Sequence, residues 1–280
     1  MARASALWAV GMLAYARAPV GAAAAVAVAM RRLGAASCAT SMAAPTGGVT
    51  LEVTTAYGAI KEAADFFARE FWASAGELSD AQRGTLADQH RADFERRYGE
   101  LTGKRRFPSA LILALDGERI VGCAGVEMTV VDAAAGRFWD RPQAEALFSE
   151  RFAAMGGRER SQYRKANLDE LAAAFLQGTG AVRPVLSNLA VRRESRGTGL
   201  GERLVRGCEE LVRTADGWAG DDLWLLVDEQ NAPAVALYMR LGFEEVWRSE
   251  EMATRLVRAA GGGLEVGQEP SFLLAMAKKL

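Results

Sequence analysis

Histidine and cysteine are scarce in this 280-residue chain, which excludes several kinds of site. The single histidine, His90, cannot build a zinc site or a His-based triad, and its charged surroundings predict a surface position. The three cysteines, Cys38, Cys123 and Cys208, show neither metal-ligand spacing nor a paired pattern. We therefore expect no metal, and we expect Cys123 and Cys208 to be small buried residues in a reducing compartment.

Acidic residues are absent from the N-terminal part of the chain. The first 51 residues contain four arginines and no acid. With its many alanines, the segment 1–45 is typical of an organelle transit peptide and is excluded from the fold. A secretory signal over residues 7–18 and a membrane anchor are the alternatives. Arg17 divides the apolar runs 7–16 and 18–30, and each run is too short to span a bilayer.

A strong excess of charge of either sign is also missing. The formal net charge is −1, which gives no global case for nucleic-acid binding. We expect no nucleic-acid partner and no stable membrane insertion of the mature chain.

From residue 50 onward, hydrophobic periodicity alternates between strand and helix patterns. Strands are predicted at 50–56, 109–115, 119–131, 184–191, 223–228, 243–248 and 272–277. Helices are predicted at 60–73, at 79–98, from about 202 to about 215, and at 232–241. Asp116-Gly117 predicts a hairpin. The polar, glycine-containing composition of 250–267 predicts a connection between strands. The helical crossovers favour one mixed α/β sheet flanked by helices.

The stretch from about 133 to 180 interrupts this order. It has two helical segments, near 142–155 and 168–176, separated by a charged stretch at 156–165 that is poor in apolar residues. We interpret 133–180 as an insertion on the main domain that is partly mobile or packs as a lid.

Three closely spaced glycines, Gly197, Gly199 and Gly201, join the strand ending at Val191 to an amphipathic helix. Glycines allow close backbone approach, and a helix N-terminus offers free N–H groups and partial positive charge, so this junction can cradle a phosphate. The spacing differs from the dinucleotide-binding G-x-G-x-x-G, and a P-loop Lys-Ser/Thr ending is missing. Taken alone, the loop is a weak signal, because a glycine-rich strand-to-helix turn also occurs for purely structural reasons.

Residues around and beyond the loop carry a family resemblance. The segments "NLAVRRESRGTGLGERLV" and "LWLLVDEQNAPAVALYMRLGF" contain linked motifs in order. They resemble the GCN5-related N-acetyltransferase (GNAT) superfamily, and plastid members in particular. The resemblance implies the GNAT acyl-CoA N-acyltransferase fold, with a splayed central sheet, over 49–280. It also implies location in the plastid, with the mitochondrion second.

The same resemblance implies acetyl-CoA as co-substrate and assigns residues to it. The pyrophosphate is expected on the glycine loop, comprising Arg196, Gly197, Thr198, Gly199, Leu200 and Gly201, with Glu202 opening the helix. The pantetheine arm is expected along the preceding strand, at Leu189, Ala190 and Val191. Asn231 is expected near the cofactor, and it can also cap the following helix.

Tyr238 is the expected general acid for the departing CoA thiolate, the alternative being an aromatic core residue. The position where relatives carry a general base is Leu226, which cannot accept a proton. Asp228 shares its strand face and is one candidate base. Glu127 on an earlier strand is another, and an ordered water could serve instead.

The sequence therefore predicts an acetyltransferase acting on amines, most readily the α-amines of protein N-termini or lysine side chains in an organelle. A protein or peptide acceptor is the expected partner. Two alternatives stay open: acetylation of a small amine such as a polyamine, amino acid or arylalkylamine, and a catalytically inactive CoA-binding regulatory module.

Overall fold

The computed structural model describes residues 48–72, 78–98, 107–139, 141–166, 168–178, 180–215, 218, 221–258 and 264–280. The predicted transit peptide at 1–45, including Cys38, lies outside the described residues.

The described chain is built on one mixed sheet. Its strands are β1 (Val49–Thr54), β2 (Ser109–Asp116), β3 (Arg119–Asp132), β4 (Arg137–Phe138), β5 (Ala181–Val191), β6 (Asp222–Asp228), β7 (Glu244–Arg258) and β8 (Leu264–Lys279). They are ordered β1-β2-β3-β5-β6-β8-β7, with β4 added to β3. Only β5 and β6 are parallel among these pairs. The predicted mixed α/β sheet is confirmed.

Helices cover both faces of this sheet. They are α1 (Tyr57–Phe71), α2 (Asp80–Tyr98), α3 (Arg141–Ala154), α4 (Gly157–Tyr163), α5 (Leu168–Leu176), α6 (Leu200–Thr214) and α7 (Ala232–Arg240). Helices α1 and α2 bury their aromatic side chains against one face of β2 and β3. Helices α6 and α7 share the core on the opposite face, next to β5 and β6. The predicted burial of Cys123 and Cys208 is confirmed.

The described part of the segment 133–180 packs against the sheet. Its helices α3 and α5 bury Phe148 and Phe175 in a cluster with Met128 of β3 and Val182 of β5. The charged stretch predicted at 156–165 to separate two helices contains the short helix α4, none of whose residues is buried.

The predicted connection at 250–267 is wrong where the structure describes it. Strand β7 continues to Arg258, and β8 begins at Leu264, the two pairing from Glu244–Ala277 to Arg258–Leu264. Strand β6 accompanies β8 over Leu273–Lys279, so the rest of the ladder is a two-stranded ribbon. Backbone groups make such a ladder, and a polar composition does not prevent it.

The surface position predicted for His90 is also wrong. His90 is only 1% exposed and lies edge-on to the ring of Phe67, with a centroid separation of 5.1 Å. Its Nε2 accepts a hydrogen bond of 3.2 Å from Trp72 Nε1. Burial lowers the pKa of His90 from 6.5 to about 4, against the smaller opposing effect of Asp93.

Stability is expected to fall on mild acidification because of this one residue. Between pH 6.5 and about 4 the unfolded chain binds a proton on His90 that the folded chain does not. Protonation of His90 therefore lowers the free energy of unfolding by about 3 kcal/mol in total as pH falls from 6.5 to below about 4, a cost that is absent above pH 6.5. Denaturant unfolding at several pH values measures it, with His90→Gln as the non-titrating control. In untagged protein, a His90 imidazole that titrates near pH 6.5 by NMR would contradict the prediction.

Candidate functional site

The two parallel strands at the centre of the sheet separate along their length. Strands β5 and β6 are paired at Val185–Trp224 and Leu186–Leu225. Beyond these pairs β5 runs on to Val191 and β6 to Asp228. The separation leaves a gap whose edges are backbone, and backbone N–H and C=O groups at an open edge can pair with an inserted molecule. The predicted splay of the sheet is confirmed.

The glycine loop lies at the end of β5. Gly197 and Gly199 have φ of +78° and +85°, a region that glycine enters without steric cost. A Cβ on either would have nothing within 4 Å, so the space in front of the loop is open. Arg203 N–H bonds back to the Gly199 carbonyl at 3.0 Å. The N–H groups of Leu200, Gly201 and Glu202, in the first turn of α6, have no carbonyl of a preceding helical turn to bond, so they can donate to an anion. This geometry fits a pyrophosphate.

The arginines beside the loop are anchored to the protein. Arg196 donates from Nε to the Val191 carbonyl at 3.0 Å and from Nη2 to the Glu70 carbonyl at 3.3 Å. Arg192 Nη2 donates to the Ile120 carbonyl at 2.6 Å. Arg196 Nη2 also lies 3.8 Å from the Glu70 carboxylate, so this side chain ties the loop to the end of α1.

Tyr238 lies on α7, which packs on the same face of the sheet as α6. It is 7% exposed and packs edge-on against Phe243 with a ring-centroid separation of 5.7 Å. It belongs to the cluster that contains Leu186 and Leu225, the last paired residues of β5 and β6 before the gap. Burial raises the pKa of Tyr238 well above its ordinary value, which keeps the hydroxyl protonated and able to donate.

The corner between β6 and α7 carries Asp228 and Asn231. Asn231 Oδ1 accepts from Ala234 N–H at 3.4 Å, so it acts as the N-cap of α7. The Asp228 carboxylate accepts from Ser271 Oγ at 2.8 Å and from Gln230 N–H at 2.9 Å. Strand alternation places Asp228 on the face opposite Val227, the residue that shares the Tyr238 cluster. Tyr238 and Asp228 therefore flank the sheet from opposite sides.

Glu127, the other candidate base, and Leu226, the position where relatives carry a base, have different surroundings from Asp228. Glu127 is 0% exposed and forms an ion pair with Arg97 of α2, which does not favour proton transfer from an entering amine. Leu226 is half-buried against an aromatic cluster with Trp224 and Trp247. Leu226 therefore adds an apolar surface to the Asp228 face.

Three residues at the start of the gap were not expected from sequence. Tyr98 Oη lies 2.8 Å from Ser187 Oγ and accepts from Asn188 Nδ2 at 3.1 Å. Asn188 has φ +52°, unusual for a non-glycine residue in a strand. The polar pair Ser187-Asn188 inside an apolar run was a signal of irregularity that could have been used.

No curated protein matches the chain. Solved structures to which the chain is similar include a GNAT-family acetyltransferase from Streptococcus pneumoniae, Arabidopsis thaliana NAA60 in complex with acetyl-CoA, and a ribosomal-protein-alanine N-acetyltransferase from Brucella melitensis. Their identities are 16%, 11% and 16%, and their TM-scores 0.42, 0.45 and 0.39. The matches cover 82%, 82% and 81% of this chain and 99%, 100% and 99% of theirs.

The described residues hold no cluster of three or more histidine, cysteine or acidic side chains arranged to bind a metal ion. No described helix combines the length and apolar character needed to cross a membrane.

A protein-family model matches the part of the chain that contains the glycine loop. The model of the FR47-like protein family matches residues 162–264, a range that runs from the end of α4 through β5, the loop, α6, β6 and α7 into the β7–β8 ribbon. It thus contains the strand gap, the anion cradle and Tyr238. Residues 162–264 are therefore similar to an FR47-like domain, which is a domain of the GNAT N-acetyltransferase type.

Proposed function

We propose that this protein transfers the acetyl group of acetyl-CoA to an amine, with protein N-terminal α-amines as its main acceptors. The observation that carries the proposal is the open glycine cradle placed at the end of the strand that lines the gap. A pyrophosphate on residues 196–202 leaves the pantetheine arm directed along Leu189, Ala190 and Val191, toward the point where β5 leaves β6.

In the proposed reaction, a neutral amine attacks the thioester carbonyl carbon from the Asp228 side of the sheet. The C–S bond breaks and its electron pair stays on sulfur. The Tyr238 hydroxyl then donates its proton to the thiolate and is reprotonated from solvent. The proton lost by the amine passes to Asp228 or to water. The amine and the Tyr238 hydroxyl therefore approach the thioester from opposite faces of the sheet, because Asp228 and Tyr238 lie on opposite sides of β6.

The preference for α-amines follows from the absence of a side-chain base at Leu226. An α-amino group has a pKa of about 7.7–8.0, and lysine about 10.4. At pH 8 the neutral fraction is about half for the α-amine and below about 1% for lysine. An enzyme that provides little basic assistance therefore favours an α-amine by about 100-fold.

A peptide panel tests this preference. Thiol release from acetyl-CoA is measured with a free N-terminal peptide, the same peptide N-blocked with one internal lysine, and spermidine. We expect kcat/KM for the free α-amine to exceed that for the blocked peptide by about 100-fold at pH 8 and by less at pH 10, where more lysine is neutral. Turnover on spermidine alone would overturn the protein-acceptor proposal.

The same panel addresses the alternative of a CoA-binding module without catalysis, which Leu226 favours. Titration calorimetry with CoA runs beside the assay. Tight CoA binding without turnover on any acceptor would identify such a module and overturn the enzymatic proposal.

The proposed site of action is the plastid, with the mitochondrion as second choice. It rests on the basic, acid-free composition of residues 1–45 and on the resemblance to plastid members. A fusion of residues 1–50 to a fluorescent reporter should enter plastids. Secretion of the reporter would contradict the proposal.

A further inference from the structure

The structure assigns a positioning role to Tyr98: we propose that its hydroxyl fixes an irregularity in β5 that turns a backbone N–H toward the thioester carbonyl. This inference rests on the proposed function. It adds a residue from α2, which lies outside the range matched by the FR47-like family model.

The irregularity is a β-bulge at the start of the gap. On β3 the positions Cys123 and Gly125 are two apart, whereas their partners Ala190 and Ser187 on β5 are three apart. Strand β5 therefore carries one extra residue, and Asn188 takes up the change with φ +52°. A bulge leaves one residue outside the ladder and re-aims its backbone groups.

A left-handed asparagine is less costly than other non-glycine residues, but its surroundings must still hold it there. Tyr98 supplies that support, because its one hydroxyl contacts both Ser187 Oγ at 2.8 Å and Asn188 Nδ2 at 3.1 Å. The two bonded residues directly follow Leu186, the last residue of β5 paired with β6.

The protein makes room for this hydroxyl. A Cβ on Gly125 would lie 1.9 Å from Tyr98 Oη, so any side chain there would displace the tyrosine. Gly125 pairs with Ser187 across the two strands. The tyrosine therefore lies over the pair next to the bulge.

Buried charges hold the last turn of α2 against the sheet. Arg97 pairs with Asp93 one turn earlier at 2.9 Å and with Glu127 on β3. Ser109 Oγ also donates to the Arg97 carbonyl at 2.7 Å. Glu127 therefore influences the gap indirectly, because its ion pair with Arg97 fixes the last turn of α2, which carries Tyr98.

Tyr98→Phe tests the role, because it removes the hydroxyl and keeps the ring. We expect kcat to fall about 10-fold, less than the loss of an entire oxyanion donor. The Kd of CoA should stay within about twofold, because the glycine loop is intact. The ¹³C resonance of bound [1-¹³C]acetyl-CoA reports carbonyl polarisation and should shift toward that of the free molecule. Tyr163→Phe, on α4, is the matched control.

Asn188→Gly provides a second route, because glycine accepts φ +52° without the amide contact. Addition of Tyr98→Phe to Asn188→Gly should lower kcat less than Tyr98→Phe does alone. If Tyr98→Phe does not fold, Ser187→Ala replaces it, with the same shift expected at smaller size. Unchanged kcat and ¹³C shift would overturn the inference. A loss of kcat matched by comparable losses of CoA affinity and thermal stability would overturn it as well. Absence of turnover by the unmodified protein would instead overturn the proposed function, and the ¹³C comparison would still test Tyr98.

Discussion

Replacement of Tyr238 by phenylalanine is expected to lower kcat about 100-fold, the lower end of what a positioned general acid contributes. Phenylalanine keeps the contact with the Phe243 ring and most of the buried surface, so folding and CoA affinity should change little. Loss of kcat with unchanged Kd for CoA separates a role in chemistry from one in binding or packing.

The pH profile gives a second test of the same residue. Burial raises the pKa of Tyr238 above its ordinary value, so the hydroxyl remains protonated at pH values where an exposed tyrosine would ionise. We therefore expect no loss of kcat from Tyr238 ionisation between pH 8 and 10. Tyr163→Phe serves as the control, and full activity of Tyr238→Phe would show that another group protonates the thiolate.

Replacement of Gly199 by glutamate is expected to weaken CoA binding about 100-fold or more. Gly199 is the N-cap of α6, with φ +85°, and open space surrounds the position of its missing Cβ. A carboxylate would project into that space, where it would repel the pyrophosphate and occupy its donors. Since no protein atom is displaced, the fold should survive.

Gly199→Ala separates the effect of backbone strain at this position from the effect of the added negative charge. Alanine brings the backbone strain of a left-handed residue, about 1–2 kcal/mol, without the charge. We expect its Kd for CoA to rise about 10-fold or less, as measured by calorimetry beside thermal denaturation. Wild-type affinity in Gly199→Glu would mean that the anion binds elsewhere.

Much of the site could be predicted because its signals are local. The run of glycines, the adjoining apolar strand and the amphipathic helix after it lie within residues 185–212, and backbone geometry alone makes such a junction an anion cradle. Asn231 was likewise predictable as a cap, since a cap bonds to a residue three positions away.

The sequence by itself determined the mixed α/β class, the glycine cradle and the place of Tyr238 on its helix, because periodicity and turn chemistry act over a few residues. The tertiary structure alone decided that His90 is buried beside Trp72, that Glu127 faces Arg97, and that Tyr98 meets Ser187 from 89 residues away. Contacts of that separation depend on how helices and strands pack, and packing fixes which polar side chains share a desolvated space and which remain free for chemistry.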